Sequence, residues 1–291
     1  MSDIDTTPLS AALPSLIFES CLYGIALILF ISTVYFIATR RTLASRRQTV
    51  KHHFISPVFV GATVLFLAAT AHWVVEIYTV FYFLSHFKGA VPEQAFYASP
   101  TYGADIVEAT LIFIAILVGD SLMIYRLWIV WARNLRVLIF PIFSLSGVIV
   151  MVIGLFCVLS RSTANFPFLG GTESKPWVAT GFLLSLFTSF YCTSFIAFRI
   201  LKFNVRSTGN SGLTFFLAIL VESAALQTFW LIFASATNLA GSSGEFQLLT
   251  LGAFPVVLCI SNLLIHARVG LGWSSESAGV QPAKREYQGA V

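Results

Sequence analysis

Five carboxylates stand about a turn or more inside stretches of chain that are otherwise apolar enough for hydrocarbon: Glu19, Glu76, Glu108, Asp120 and Glu222. An ionised carboxylate in a bilayer is costly, so such a group faces the interior of a helix bundle and marks either function or a structural pairing. His72 precedes Glu76 by four positions, with Trp73 and Tyr78 close by; that spacing stacks the two on one helix face and suits an ion pair, a shared proton or a ligand contact. A metal needs at least three donors of fitting softness. The other histidines, His52, His53, His86 and His266, fall in loops or at the basic end of a helix, so no metal and no cofactor is expected. Asp120 lies near the middle of the third apolar segment, placed to counter a cationic ligand group, a sodium ion or a proton, or to sit protonated in a hydrogen bond. Glu222 forms a polar stripe with Ser223, Gln227 and Thr228, and Ser185, Thr188, Ser189 and Cys192 follow an i, i+3, i+4, i+7 pattern. Such stripes point to hydrogen bonding between helices.

The elements that must position these groups follow from composition. The chain of 291 residues is 57% hydrophobic and 10% charged, with 28 phenylalanines, which would leave a water-soluble fold with far too much apolar surface. About 20 apolar residues cross a bilayer, and seven such runs occur, at 15–39, 54–84, 104–131, 137–159, 177–201, 213–239 and 246–267. An all-α, seven-helix membrane bundle over 15–267 is expected, with a short outer N-terminus (1–14) and a disordered cytosolic tail (268–291). Alternating the gaps leaves only Lys88, Arg161 and Lys175 of the 17 basic residues on one side, which puts the N-terminus outside and the C-terminus in the cytosol. On that orientation Glu19 and Glu108 lie about one turn below the outer surface, and Glu76 about 12 Å below it.

The +4 net charge is this inner-face bias rather than a patch for nucleic acid. Cys21, Cys157, Cys192 and Cys259 all lie within the expected spans and read as small apolar residues, not as a disulfide framework. The short link 132–136 makes the third and fourth helices antiparallel neighbours, the outer connections 85–103 and 160–176 are long enough for a lid, and Pro255 is expected to kink the last helix near its middle.

The third helix closes on Asp120-Ser-Leu-Met-Ile-Tyr125-Arg126-Leu-Trp128-Ile-Val-Trp131, then Ala132-Arg133-Asn134. Trp128 and Trp131 suit a cytosolic aromatic belt, with Arg126 snorkelling beside them. This segment, together with the order of spans, resembles the uncharacterised seven-transmembrane, receptor-like family abundant in mushroom-forming fungi. The resemblance implies a fungal membrane protein. Against better-known seven-helix families, the last helix has no lysine to carry retinal, Tyr125-Arg126 lacks an adjacent acid, Pro255 follows Phe254 rather than asparagine, and no cysteine lies in an outer loop.

The leading expectation is a sensor, in the plasma membrane by default. A small ligand would bind near His72, Glu76, Glu108, Asp120 and Glu222, and a cytosolic signalling protein would meet Tyr125, Arg126, Arg133 and Arg136. The alternatives are a membrane enzyme of terpene-cyclase type, with carboxylates donating a proton in an aromatic chamber, and a transporter with staggered carboxylates along a path.

Overall fold

The computed structural model describes residues 8–45, 57–86, 102–161, 175–206, 211–239 and 244–265. Among them there is no strand. The helices are α1 (Pro8–Ser45), α2 (Pro57–His86), α3 (Tyr102–Val130), a 3-10 turn (Leu135–Leu138), α4 (Ile139–Arg161), α5 (Lys175–Arg206), α6 (Ser211–Leu239) and α7 (Gly244–Gly252), followed by α8 (Phe254–Ile265). Among the described residues, five helices are long and apolar enough to cross a membrane, or six if the bent α7–α8 pair counts as one span. The outward faces carry Ile28, Phe143 and Phe190 at 66%, 77% and 66% exposure. Side chains of that size bared on several helices fit a lipid solvent, in which a helix satisfies its own backbone groups. The tail at 268–291 and most of both long connections lie outside the described residues.

Neighbours in sequence are neighbours in space, and the order closes on itself. The pairs α1–α2, α2–α3, α3–α4, α4–α5, α5–α6 and α6–α7 all pack, α7 returns to α1 and α2, and α3 also touches α5. The seam between α1 and α2 shows why these sequences meet. Tyr23 stacks on Trp73 at 4.6 Å and Phe30 on Phe66 at 4.1 Å, while the Trp73 indole donates to Ser20 at 2.9 Å. Polar tips are paired where aromatic bodies are buried.

α3 and α4 are joined as the short link requires. Arg133 N–H bonds the Trp128 carbonyl at 2.9 Å and Ala132 N–H that of Ile129 at 3.1 Å, a Schellman closure in which Ala132 (φ 51°) and Arg133 (φ 66°) take the left-handed conformation. Asn134 then accepts from Arg136 N–H at 3.2 Å and caps the 3-10 turn.

The last apolar run differs from a single kinked helix. It parts between Gly252 and Phe254, and the two pieces diverge by 42°. Pro255 has no N–H to give, so the carbonyl one turn earlier loses its intrahelical donor, and Gly252 supplies a place where the chain can turn without a side chain in the way. Every residue from 250 to 263 is buried. α8 is therefore enclosed by protein: Phe254 meets Phe182 of α5 at 5.0 Å, Leu258 lies against Gly119 of α3, and Ser261 donates to the Ser223 carbonyl of α6 at 2.7 Å.

Candidate functional site

The sequence pairs His72 with Glu76 along one helix; the fold adds a third group from another. α1 runs beside α2 so that Glu19 meets His72, with Nδ1 2.9 Å from Oε1 across 53 residues of chain. Glu19, His72 and Glu76 each present a ligating atom, and these atoms all lie within 4.8 Å of one another. Glu19 and His72 are fully buried, and Glu76 is half-buried. The second carboxylate oxygens of Glu19 and Glu76 are buried without a hydrogen-bond partner. Gly252 borders the site: a Cβ there would stand 2.8 Å from Ser15 Oγ and 3.4 Å from both carboxylate oxygens of Glu76. Ser15 in turn donates to the Leu248 carbonyl of α7 at 3.4 Å. The break in the last apolar run thus abuts the buried acid–imidazole cluster. Tyr78, adjacent in sequence, is instead exposed.

The remaining candidates are separate. Glu108 of α3 is half-buried and accepts from Thr79 at 3.4 Å, on the side of α2 that faces α3. Asp120 is buried at mid-bundle and accepts from Ser185 Oγ of α5 at 2.9 Å. Glu222 does not belong to the polar stripe it was grouped with. Ser223 and Gln227 are buried but Glu222 is exposed, because one residue along a helix rotates the side chain by about 100° and turns it off the packed face.

The α5 stripe bonds neighbouring helices as its spacing suggests. Ser185 reaches Asp120 of α3, Thr188 donates to Ser144 of α4 at 2.9 Å, and Ser189 meets Thr228 of α6 at 3.4 Å. Among the described residues, apolar grooves open on the outer face of the bundle, about 530 Å³ between α4 and α5 and about 240 Å³ beside α3 and α4. None of the five carboxylates lines either. The hydroxyls in the larger groove, Ser146 and Thr180, are spent on their own helices.

At the opposite, basic end, Trp131 of α3 donates to the Phe195 carbonyl of α5 at 3.3 Å, and Arg199 of α5 lies over its ring at 5.1 Å. Arg133 covers Trp128 at 5.4 Å. Arg133 and Arg136 are exposed. Arg126 does not snorkel outward: it is half-buried, its Nη1 turned to Met123 Sδ at 3.9 Å and its Nη2 buried without a partner. Tyr125 lines the smaller groove rather than the basic tip. The groups that sequence reasoning left out of the site are Glu19, Ser15 and Gly252. Glu19 carried the signal of an intramembrane acid, whereas nothing local marks a serine or a glycine as its neighbour. No family model, no curated protein and no solved structure matches the chain.

Proposed function

We propose that this protein is a seven-span, receptor-like sensor of the plasma membrane, with its N-terminus outside and its C-terminus in the cytosol, of the type found in mushroom-forming fungi. The sixth span is α6, of 29 residues, and the seventh is the broken α7–α8 pair. The basic residues that crowd the inner connections support this orientation. One observation carries the reading: the break at Gly252 lies against Glu76 and Ser15, while the helix beyond it is buried against α3, α5 and α6. A small ligand taken up beside His72 and Glu76 acts directly on the bend, and the enclosed α8 passes the displacement to the helices whose basic ends face the cytosol. Arg133 and Arg136 then meet the signalling partner. Such a lever works only if the ligand favours one bend over another. The enzyme and transporter readings have less support, because the acid–imidazole cluster, Asp120 and Glu222 occupy separate places.

Spin labels at Arg133→Cys and Lys202→Cys report the spacing of the α3 and α5 ends in nanodiscs. The background is Cys21→Ala and Cys157→Ala, since the other two thiols are buried. A compound from a panel of small molecules that binds the wild type should shift that distance, and Glu76→Gln should abolish the shift. Binding that leaves the distance unchanged overturns the sensor reading.

A further inference from the structure

Two glutamates and one histidine in a bundle interior pose an unbalanced problem. His72 satisfies one oxygen of Glu19 at 2.9 Å, and the second oxygens of Glu19 and of Glu76 are buried without partners. Even if the imidazole is protonated, it offsets only one of two carboxylates. An uncompensated carboxylate at this depth is expensive, and buried charges are ordinarily paired or bound to a metal. A divalent cation neutralises both carboxylates at once and uses both orphan oxygens.

The donor set narrows the choice of cation. Magnesium and calcium take oxygen ligands, whereas an imidazole nitrogen with two carboxylates is a set that zinc accepts in tetrahedral geometry, with bonds of about 2.0–2.2 Å. That geometry places ligating atoms about 3.4 Å apart. The three atoms here lie within 4.8 Å of one another, and both glutamates have side-chain torsions with which to close the difference. His72 and Glu76, four residues apart on α2, are spaced as paired ligands on one helix face, and Glu19 brings the third bond from α1. Three protein ligands leave a fourth position open. Gly252 leaves the Glu76 edge of the site uncrowded, because a side chain there would press on Ser15 and on the Glu76 carboxylate.

We infer that Glu19, His72 and Glu76 form a binding site for a divalent transition-metal ion of the zinc class, joining α1 to α2 beside the break in the last span. The inference stands apart from the sensor reading, since metal binding is measured whether or not the basic ends of the helices move.

The test uses the untagged full-length protein in nanodiscs, stripped with chelator and titrated with Zn²⁺ by calorimetry, with bound metal counted by elemental analysis. The wild type should bind one equivalent that excess Mg²⁺ or Ca²⁺ does not displace, and its melting temperature should rise with Zn²⁺. Glu19→Gln and His72→Ala each remove a donor and should weaken binding by about 100-fold or more, at or beyond the upper end of what losing an outer-shell partner costs. Co²⁺ in the same site should give visible absorption that His72→Ala removes. If Glu19→Gln yields too little folded protein, Glu76→Gln, at the half-exposed edge of the cluster, gives the same reading. Absence of a stoichiometric site in the wild type, or binding unchanged in the Glu19, His72 and Glu76 variants, overturns the inference and leaves the three as a buried ion pair with a neutral acid.

Discussion

Asp120 of α3 accepts a hydrogen bond from Ser185 of α5 at 2.9 Å, with both side chains buried. Of the two sequence readings of this central carboxylate, ligand group or hydrogen-bonded joint, this contact supplies the joint between two helices, while its second oxygen is buried without a partner. Hydrogen bonds across membrane helices average about 0.6 kcal/mol and reach about 1.7. Ser185→Ala should therefore cost about 1 kcal/mol, and Asp120→Asn, which keeps an acceptor for Ser185, should cost less than Asp120→Ala. Unfolding in a detergent series reads the order; equal losses for the Asn and Ala variants would refute it.

Two glycines facing α4–α5 contacts should respond differently to the same methyl group. At Gly154 a Cβ would strike the rigid ring of Trp177, and at Gly181 the flexible end of Met151. Overpacking costs about 1–3 kcal/mol where neighbours cannot yield. Gly154→Ala should fall in that range, and Gly181→Ala well below it. Thermal melts of the two variants decide the matter.

The break in the last apolar run should tolerate little bulk. A methyl group at Gly252 would come 2.8 Å from Ser15 Oγ, so Gly252→Ala should destabilise by about 1 kcal/mol and Gly252→Val by more. Ser15→Ala should relieve most of the first loss. A double-mutant cycle with no coupling between positions 15 and 252 would contradict the close approach.

Ala132 holds a left-handed conformation, φ 51°, at the position where a helix of this ending usually has glycine. That conformation costs an L-residue about 1–2 kcal/mol. Ala132→Gly should return about 1 kcal/mol as a higher unfolding midpoint, less the added freedom of the unfolded chain.

The basic end should separate stability from coupling. Trp131→Phe loses the bond to the Phe195 carbonyl and weakens the stacking of Arg199, so it should lower stability by about 1 kcal/mol. Exposed Arg136, replaced by Ala, should change stability by less than about 0.5 kcal/mol. In the sensor reading, the second variant still weakens engagement of a cytosolic partner, scored by complementation in cells.

How much of this was legible beforehand depends on the range of the interaction. Long apolar runs decide helix and membrane by themselves, since a bilayer leaves the backbone no other way to satisfy its polar groups. The described helices accordingly begin and end within a few residues of the expected runs through α6, apart from α1, which runs from Pro8 to Ser45 and so is longer at both ends, and α5, which continues to Arg206. Pro255 announced a disturbance in the last run for a local reason, the missing N–H. The α5 stripe announced hydrogen bonds to other helices through its spacing alone. Tertiary structure decided which polar groups meet. Helical periodicity relates His72 to Glu76 but says nothing of Glu19, which arrives from 53 residues away because Tyr23, Trp73, Phe30 and Phe66 fix how α1 lies along α2. It also decided that Glu222 turns outward, that Ser185 is the group that meets one oxygen of Asp120, and that the bend before Pro255 becomes a break between Gly252 and Phe254. Each of these depends on the rotation of one helix against another, a quantity set by side-chain packing between segments distant in sequence.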